Sequence, residues 1–218
     1  MNASSFLVLT VLSFSVRASA IGQDCVMDQY AEWTIDSLLD PTMRAEVLSL
    51  YPTGLLEETS TVELIALPGR ANCHDRAEFK GNDITVVIEG APFDTAKHTF
   101  GYDRSQQVPF LCNIDGLGFW GTDGGMPRRE IKGVNVTMKG KMLNVPKRGY
   151  TNLYEPNICD TYPASNDAPI SIHASCRLSK DRERLYIHMM NSDGAGGYLV
   201  TWIFQNGRYW GRVVEHGF

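Results

Sequence analysis

The sequence predicts a mainly β protein: an antiparallel β-sandwich or barrel-like domain with a short helical segment at its N-terminus. Three observations lead there. After Pro52 the chain breaks into short runs of β-branched and aromatic residues separated by Gly, Pro, Asn and Asp, which is the texture of closely spaced strands and not of alternating β/α units. Asn206-Gly207 stands between two strongly β-like runs, where it forms the preferred two-residue type I′ hairpin turn. Before Pro52, Asp40-Pro41 reads as a helix N-cap with proline at the first helical position.

In chain order, the first feature is an apolar run from Phe6 to Val16, followed by the small residues Ala18-Ser19-Ala20. This is the pattern of a secretory signal peptide cut after Ala20, and the run is too short to span a bilayer. Removing residues 1–20 leaves 21–218 as one expected domain, secreted or periplasmic, with enough chain for a hydrophobic core. Helices are expected over about 27–51, where Met27, Tyr30, Thr34 and Leu38 fall near one face.

Strands are expected near Thr61–Leu67, Ile84–Glu89, Val108–Cys112, Val134–Met138, Met142–Val145, Ile170–Cys176, Leu185–Met190, Tyr198–Gln205 and Arg208–Val214. The Asn206-Gly207 turn sets a register for the last hairpin: Gln205 with Arg208, Phe204 with Tyr209, Ile203 with Trp210, Trp202 with Gly211, Val200 with Val213. In that register the Trp202 ring covers a glycine. Both faces of the hairpin carry large apolar residues, so it is expected to be central, with Thr201 and Arg212 as the polar exception. A second hairpin is expected around Lys139-Gly140-Lys141, with Val134, Val136 and Met138 inward. Asn157–Pro169 is the loosest stretch.

The chain carries 20 Lys+Arg against 25 Asp+Glu, and loss of Arg17 with the signal peptide makes it one unit more acidic. With no basic block, nucleic acid is not an expected partner. No transmembrane segment is expected in the mature chain. Cys25, Cys73, Cys112, Cys159 and Cys176 include no C-x-x-C pair, which argues against a zinc ribbon or a thioredoxin-like site. In an oxidising compartment they are candidates for two disulfides and one leftover thiol.

Gly116-Leu-Gly-Phe-Trp-Gly121 matches G-x-G-x-x-G, but Gly124, Gly125 and Pro127 prevent the helix that a dinucleotide fingerprint must open, and no acid follows at the right distance. No cofactor is therefore expected from it. The stretch Asp115 to Pro127 still joins five glycines, two aspartates and Phe119-Trp120. As plain structure, its glycines supply turns and Trp120 caps the core. As a binding loop, Asp115, Asp123 and Glu130 face a ligand and Trp120 offers a stacking surface. Asp193, in a second acidic glycine-rich turn, is a further candidate for the same site. Calcium at Asp115 and Asp123 would suit such carboxylates, although no EF-hand pattern is present. Asp115, Asp123, Glu130 and Asp193 are also the candidate acids and bases of a carboxylate-based hydrolase acting on glycans or another polymer.

The histidines at 74, 98, 173, 188 and 216 show no H-E-x-x-H and are expected to be structural, with His173 and His188 on strands that could be neighbours. Asn135-Val-Thr137 is a glycan acceptor only in a eukaryotic secretory pathway.

Gly121-Thr-Asp-Gly-Gly125 with Met126-Pro127 and Glu130-Ile131, then Asn152-Leu-Tyr-Glu-Pro156, then Ser192-Asp-Gly-Ala-Gly-Gly-Tyr198 with Val200-Thr-Trp202, together resemble a group of exported bacterial β-rich proteins without assigned function. The resemblance covers about residues 116–214. It implies a bacterial envelope or secreted location and a compact β-rich domain, and it brings no catalytic residues. The resulting expectation is a non-enzymatic binding or interaction module for an unknown ligand or envelope partner. A hydrolase and a secreted inhibitor or immunity-like protein are the alternatives.

Overall fold

The computed structural model describes residues 34–52, 55, 57–72, 75–105, 107–159, 172–192 and 194–217. The expected signal peptide, the first turns of the expected N-terminal helices, Cys25, Cys73 and Asp193 lie outside them, as does most of the loose stretch after Asn157. The described chain is mainly β, with antiparallel sheets and one α-helix, and the sheets are not closed into a barrel.

Strands β1 (Ile65–Ala66), β9 (Ala174–Leu178), β10 (Arg184–Asn191), β11 (Tyr198–Gln205) and β12 (Arg208–His216) form one five-stranded sheet in that spatial order. A second five-stranded sheet runs β2 (Gly69–Asn72), β3 (Arg76–Gly81), β4 (Ile84–Pro92), β7 (Arg129–Met138) and β8 (Lys141–Met142). A separate ribbon pairs β5 (Phe100–Asp103) with β6 (Phe110–Ile114).

Alternation along the strands explains the core. Ile187, Met189, Val200, Trp202 and Phe204 from the first sheet share one apolar cluster with Phe79, Val86, Ile88, Val134 and Val136 from the second. The intervening residues Tyr186, Leu199, Ile203 and Val213 point to the other face of the first sheet. There they meet Met43, Val47 and Leu48 of α1 (Pro41–Leu48). β10 and β11 are thus covered on both faces, which is why Tyr198–Phe204 reads as an almost unbroken apolar run. The helix begins as expected, with the Asp40 carboxylate accepting hydrogen bonds from the Thr42 and Met43 amides at 2.9 and 3.2 Å.

A buried polar knot fastens α1 to the sheet. The Arg184 guanidinium donates to both carboxylate oxygens of Glu46, from Nε at 2.6 Å and from Nη2 at 3.1 Å. The Tyr186 hydroxyl donates to the same carboxylate at 2.5 Å. Nearby, the buried His188 ring hydrogen-bonds Thr201 Oγ1 at 2.9 Å and packs on Tyr51 at 5.3 Å between ring centroids. His188 pairs across the sheet with Ser175, and its polar partner is Thr201.

The last hairpin corrects the expected register. Gln205 pairs with Arg208 and Phe204 with Tyr209, but a β-bulge follows. Beyond it Ile203 pairs with Gly211, Trp202 with Arg212 and Val200 with Val214. The physical reason lies at Arg212. Without the bulge Arg212 would oppose Thr201 and share the face covered by α1. With one extra residue absorbed, it joins Trp202, and both donate to the Gly149 carbonyl at 2.8 Å. Arg212 also donates to Asn152 Oδ1 at 2.5 Å. The absorbed residue is Trp210, which stays more than a third exposed.

Three strands escaped the sequence reading. β3 and β4 turn through Asn82-Asp83, both at positive φ, so this two-residue turn lacks the glycine that marks such turns. β2 and β5 are glycine-containing and polar. The expected strand at Thr61–Leu67 shrinks to Ile65–Ala66. The Lys139-Gly140 hairpin forms as expected, with Met138 paired to Lys141. Asn135 sits mid-strand in β7, opposite Val87, with its amide directed to Glu89 Oε2 at 3.4 Å. Cys176 is a free thiol buried in the shared core, where burial pushes its pKa up.

Candidate functional site

Three stretches separated by up to about 75 residues of sequence meet at one end of the first sheet, beside Tyr198 and His216. The loop after β6 runs alongside the segment before the undescribed stretch. The Trp120 amide donates to the Asn152 carbonyl at 2.9 Å, and the Trp120 carbonyl accepts from the Tyr154 amide at 3.0 Å. The turn after β10 then closes on both: Ser192 donates from Oγ to the Gly121 carbonyl at 2.9 Å and from its amide to the Glu155 carbonyl at 3.2 Å. The Tyr198 hydroxyl donates to the Tyr154 carbonyl at 2.9 Å.

Glycine is required where these backbones touch. Gly121 has φ +114°, and a Cβ there would lie 2.2 Å from the Tyr154 carbonyl oxygen. At Gly196 a Cβ would lie 2.8 Å from the backbone of Thr122. Both contacts are with main chain, which cannot swing aside. Gly121→Ala is therefore expected to cost about 2 kcal/mol and to separate Trp120 from the 152–155 segment. A urea-unfolding free energy equal to that of the unsubstituted chain would contradict this.

The convergence leaves two adjacent spaces. The first is a cavity of about 100 Å³ walled by Phe110, Leu111, Phe119, Trp120, Gly196 and His216. The Trp120 ring stands edge-on to His216 at 4.6 Å and tilted to Tyr198 at 6.1 Å, so it forms a cavity wall, not an exposed stacking platform. The second space is an open cleft of about 570 Å³ bounded by Met126, Arg128, Glu155, Pro156, Asn157 and Ser192. Gly121, Thr122, Asp123 and Gly196 line both. Glu155 and Ser192 hold left-handed backbone, at φ 49° and 59°, a conformation that costs free energy in non-glycine residues. The Glu155 carboxylate accepts from the Arg128 amide and lies 3.6 Å from its guanidinium.

The structure divides the candidate residues into two groups. Trp120 lines the cavity and Asp123 both spaces, and Ser192, Ala195 and Gly196, from the turn that contains the undescribed Asp193, border them too. Asp115 and Glu130 line neither; they meet each other through His98. The Asp115 carboxylate lies 2.7 Å from His98 Nδ1 and accepts from the Thr99 amide at 2.8 Å, while His98 Nε2 is 3.8 Å from Glu130. The Thr99 amide, with help from His98, holds Asp115 below the ordinary carboxylate pKa against the opposing effect of burial. His98 stacks on Phe93 at 4.6 Å. Burial, with the Asp115 and Glu130 charges, raises the pKa of Tyr154. Asp115 and Asp123 thus sit in different surroundings. Among the described residues no three His, Cys, Asp or Glu side chains converge as a metal-holding group.

Tyr209 and Trp210 lie at the opposite end of β12 from His216, about 20 Å away along the strand, and so take no part in the site. Tyr209 packs on Phe204. Sequence reasoning missed Phe110, His216, Arg128 and Glu155, which enter the site only through the convergence of the loops. Comparison with protein-family models, with curated proteins and with solved structures finds no match. No helix among the described residues is long and apolar enough to cross a membrane.

Proposed function

We propose that this chain is an exported β-sandwich domain that binds a ligand without chemical conversion, at the cell envelope or outside the cell, through the cavity and cleft between its glycine-rich loops. The observation that carries the reading is an aromatic-walled hollow beside a polar cleft, the two sharing Gly121, Thr122, Asp123 and Gly196 as lining, built where three sequence-distant segments meet. A small apolar hollow with a few polar groups at its mouth is the usual form of a recognition site. The two facing sheets with one shared core support the sandwich architecture. The signal-like Phe6–Ala20 segment supports export.

The hydrolase reading is less well supported. It needs an acid whose pKa is raised, whereas Asp115 is shifted down and is bound to Thr99 and His98.

The test is a chemical-shift titration of the labelled protein with benzene, which suits hollows of this order of size. Saturable shifts are expected at Gly118–Gly124 and Gly196. They should vanish in Ala195→Trp, which fills the cavity from an exposed position. Absent or scattered shifts would overturn the proposal. A parallel titration with calcium is expected to leave these resonances in place, because the Asp115 carboxylate is already engaged.

A further inference from the structure

Resting on that reading, the size, rim and charge of the site identify the kind of ligand. Size comes first. The aromatic-walled hollow of about 100 Å³ is well below the 300 to 1,000 Å³, roughly, that holds a whole small-molecule ligand. It holds one side chain. The adjoining cleft, several times larger and open, has room for the chain on either side of that anchor.

The rim makes the second argument. Phe110 and Met126 border these spaces and are more than a third exposed. Exposed apolar residues concentrated around a cavity mark a surface that is covered by a partner.

Charge completes it. The Arg128 main chain and guanidinium both face Glu155, so that positive charge is already offset within the cleft. Asp123 lines cavity and cleft alike, is exposed, and carries no hydrogen bond or ion pair among the described residues. The local balance is therefore negative, in keeping with the net charge of −5 on the whole chain. A partner with a positive group next to its apolar anchor is complementary to this arrangement.

We infer that the ligand is a peptide segment that inserts one side chain of leucine or phenylalanine size into the cavity and sets a neighbouring lysine or arginine beside Asp123.

Three capped dipeptide amides test this on the full chain, with chemical-shift titration as the readout: acetyl-Phe-Lys, acetyl-Phe-Glu and acetyl-Gly-Lys. Acetyl-Phe-Lys is expected to bind about 5-fold more tightly than acetyl-Phe-Glu, the scale of an exposed ion pair, with shifts at Gly118–Gly124 and Gly196. Acetyl-Gly-Lys, lacking the anchor, is expected not to saturate. In Asp123→Asn, at an exposed position, the Lys-to-Glu preference is expected to fall to within about 2-fold. Equal binding of the Lys and Glu peptides to the unsubstituted chain would overturn the charge assignment and leave the cavity reading intact. Benzene binding with no binding of either Phe peptide would overturn the peptide assignment alone. Failure of benzene and peptides together would overturn both readings.

Discussion

Arg184→Ala is expected to lower the stability of the fold by about 4 kcal/mol, the scale seen when one partner of a buried ion pair is removed. Arg184 and Glu46 are both less than a tenth exposed, and the carboxylate accepts from Nε, Nη2 and the Tyr186 hydroxyl. Without the guanidinium, a carboxylate stays buried under α1 with a single donor. The comparison that isolates this cause is the combined replacement Glu46→Leu, Arg184→Met and Tyr186→Phe, which removes the three buried polar side chains and leaves Asp181, the exposed partner of Arg184 at 3.2 Å, to solvent. It is expected to lie within about 1 kcal/mol of the unsubstituted protein, because burying apolar groups of similar volume avoids desolvating the ions. Urea unfolding measures both. A single variant as stable as the triple would mean that the ion pair does not hold α1 to the sheet.

Acid should weaken the protein through His188. Burial, aided by the Arg177 charge, lowers its pKa from 6.5 to about 4. Above pH 6.5 the ring is neutral in both folded and unfolded chains, and the full stability is present. As pH falls from 6.5 towards 4 the unfolded chain takes up a proton that the folded chain refuses, so stability is lost through that window, by about 3 kcal/mol in all. Glu215 works with the opposite sign: burial raises its pKa, so its contribution is present at low pH and is lost as pH rises through its folded value. Between pH 6.5 and 5 the unfolded His188 ring takes up its proton while the folded ring does not, and a variant at His188 separates its effect from that of Glu215. His188→Gln keeps a hydrogen-bonding group for Thr201 but removes the titration. The unsubstituted protein is expected to lose stability faster than this variant, by about 1 kcal/mol per pH unit on average over that range. Parallel pH profiles would assign the acid sensitivity elsewhere.

Both results bear on the site, because the same layer fixes its frame. α1 presses on one face of β10 and β11, and the opposite face supplies Tyr198, whose hydroxyl holds the Tyr154 carbonyl next to Gly121. Loosening the knot at Glu46 should therefore also broaden the chemical shifts of Gly118–Gly124.

Much of the β framework was legible because it depends on near-neighbour chemistry. The Asn206-Gly207 turn, the Asp40-Pro41 helix start and the apolar runs of β10 to β12 are written in adjacent residues. The candidate site was legible in part. Trp120, Asp123 and the glycine-rich turn after β10 stood out by composition, and they do meet. Asp115 and Glu130 stood out for the same reason, yet the fold takes them to His98 instead, since a carboxylate in a list of acids carries no sign of which partner it will face.

By itself the sequence determined the antiparallel β class, the helix cap, the Lys139-Gly140 and Asn206-Gly207 turns and the two glycine-rich loops, all set by local backbone preference and alternation. Tertiary structure alone decided three things. It decided that the sheets do not close into a barrel. It placed the bulge at Trp210, because Arg212 must reach the carbonyl of Gly149, some sixty residues earlier. And it decided that the loops around Gly121, Tyr154 and Gly196 enclose a cavity. Each depends on which distant backbones touch, and contacts between residues far apart in the chain leave no periodic trace in the sequence.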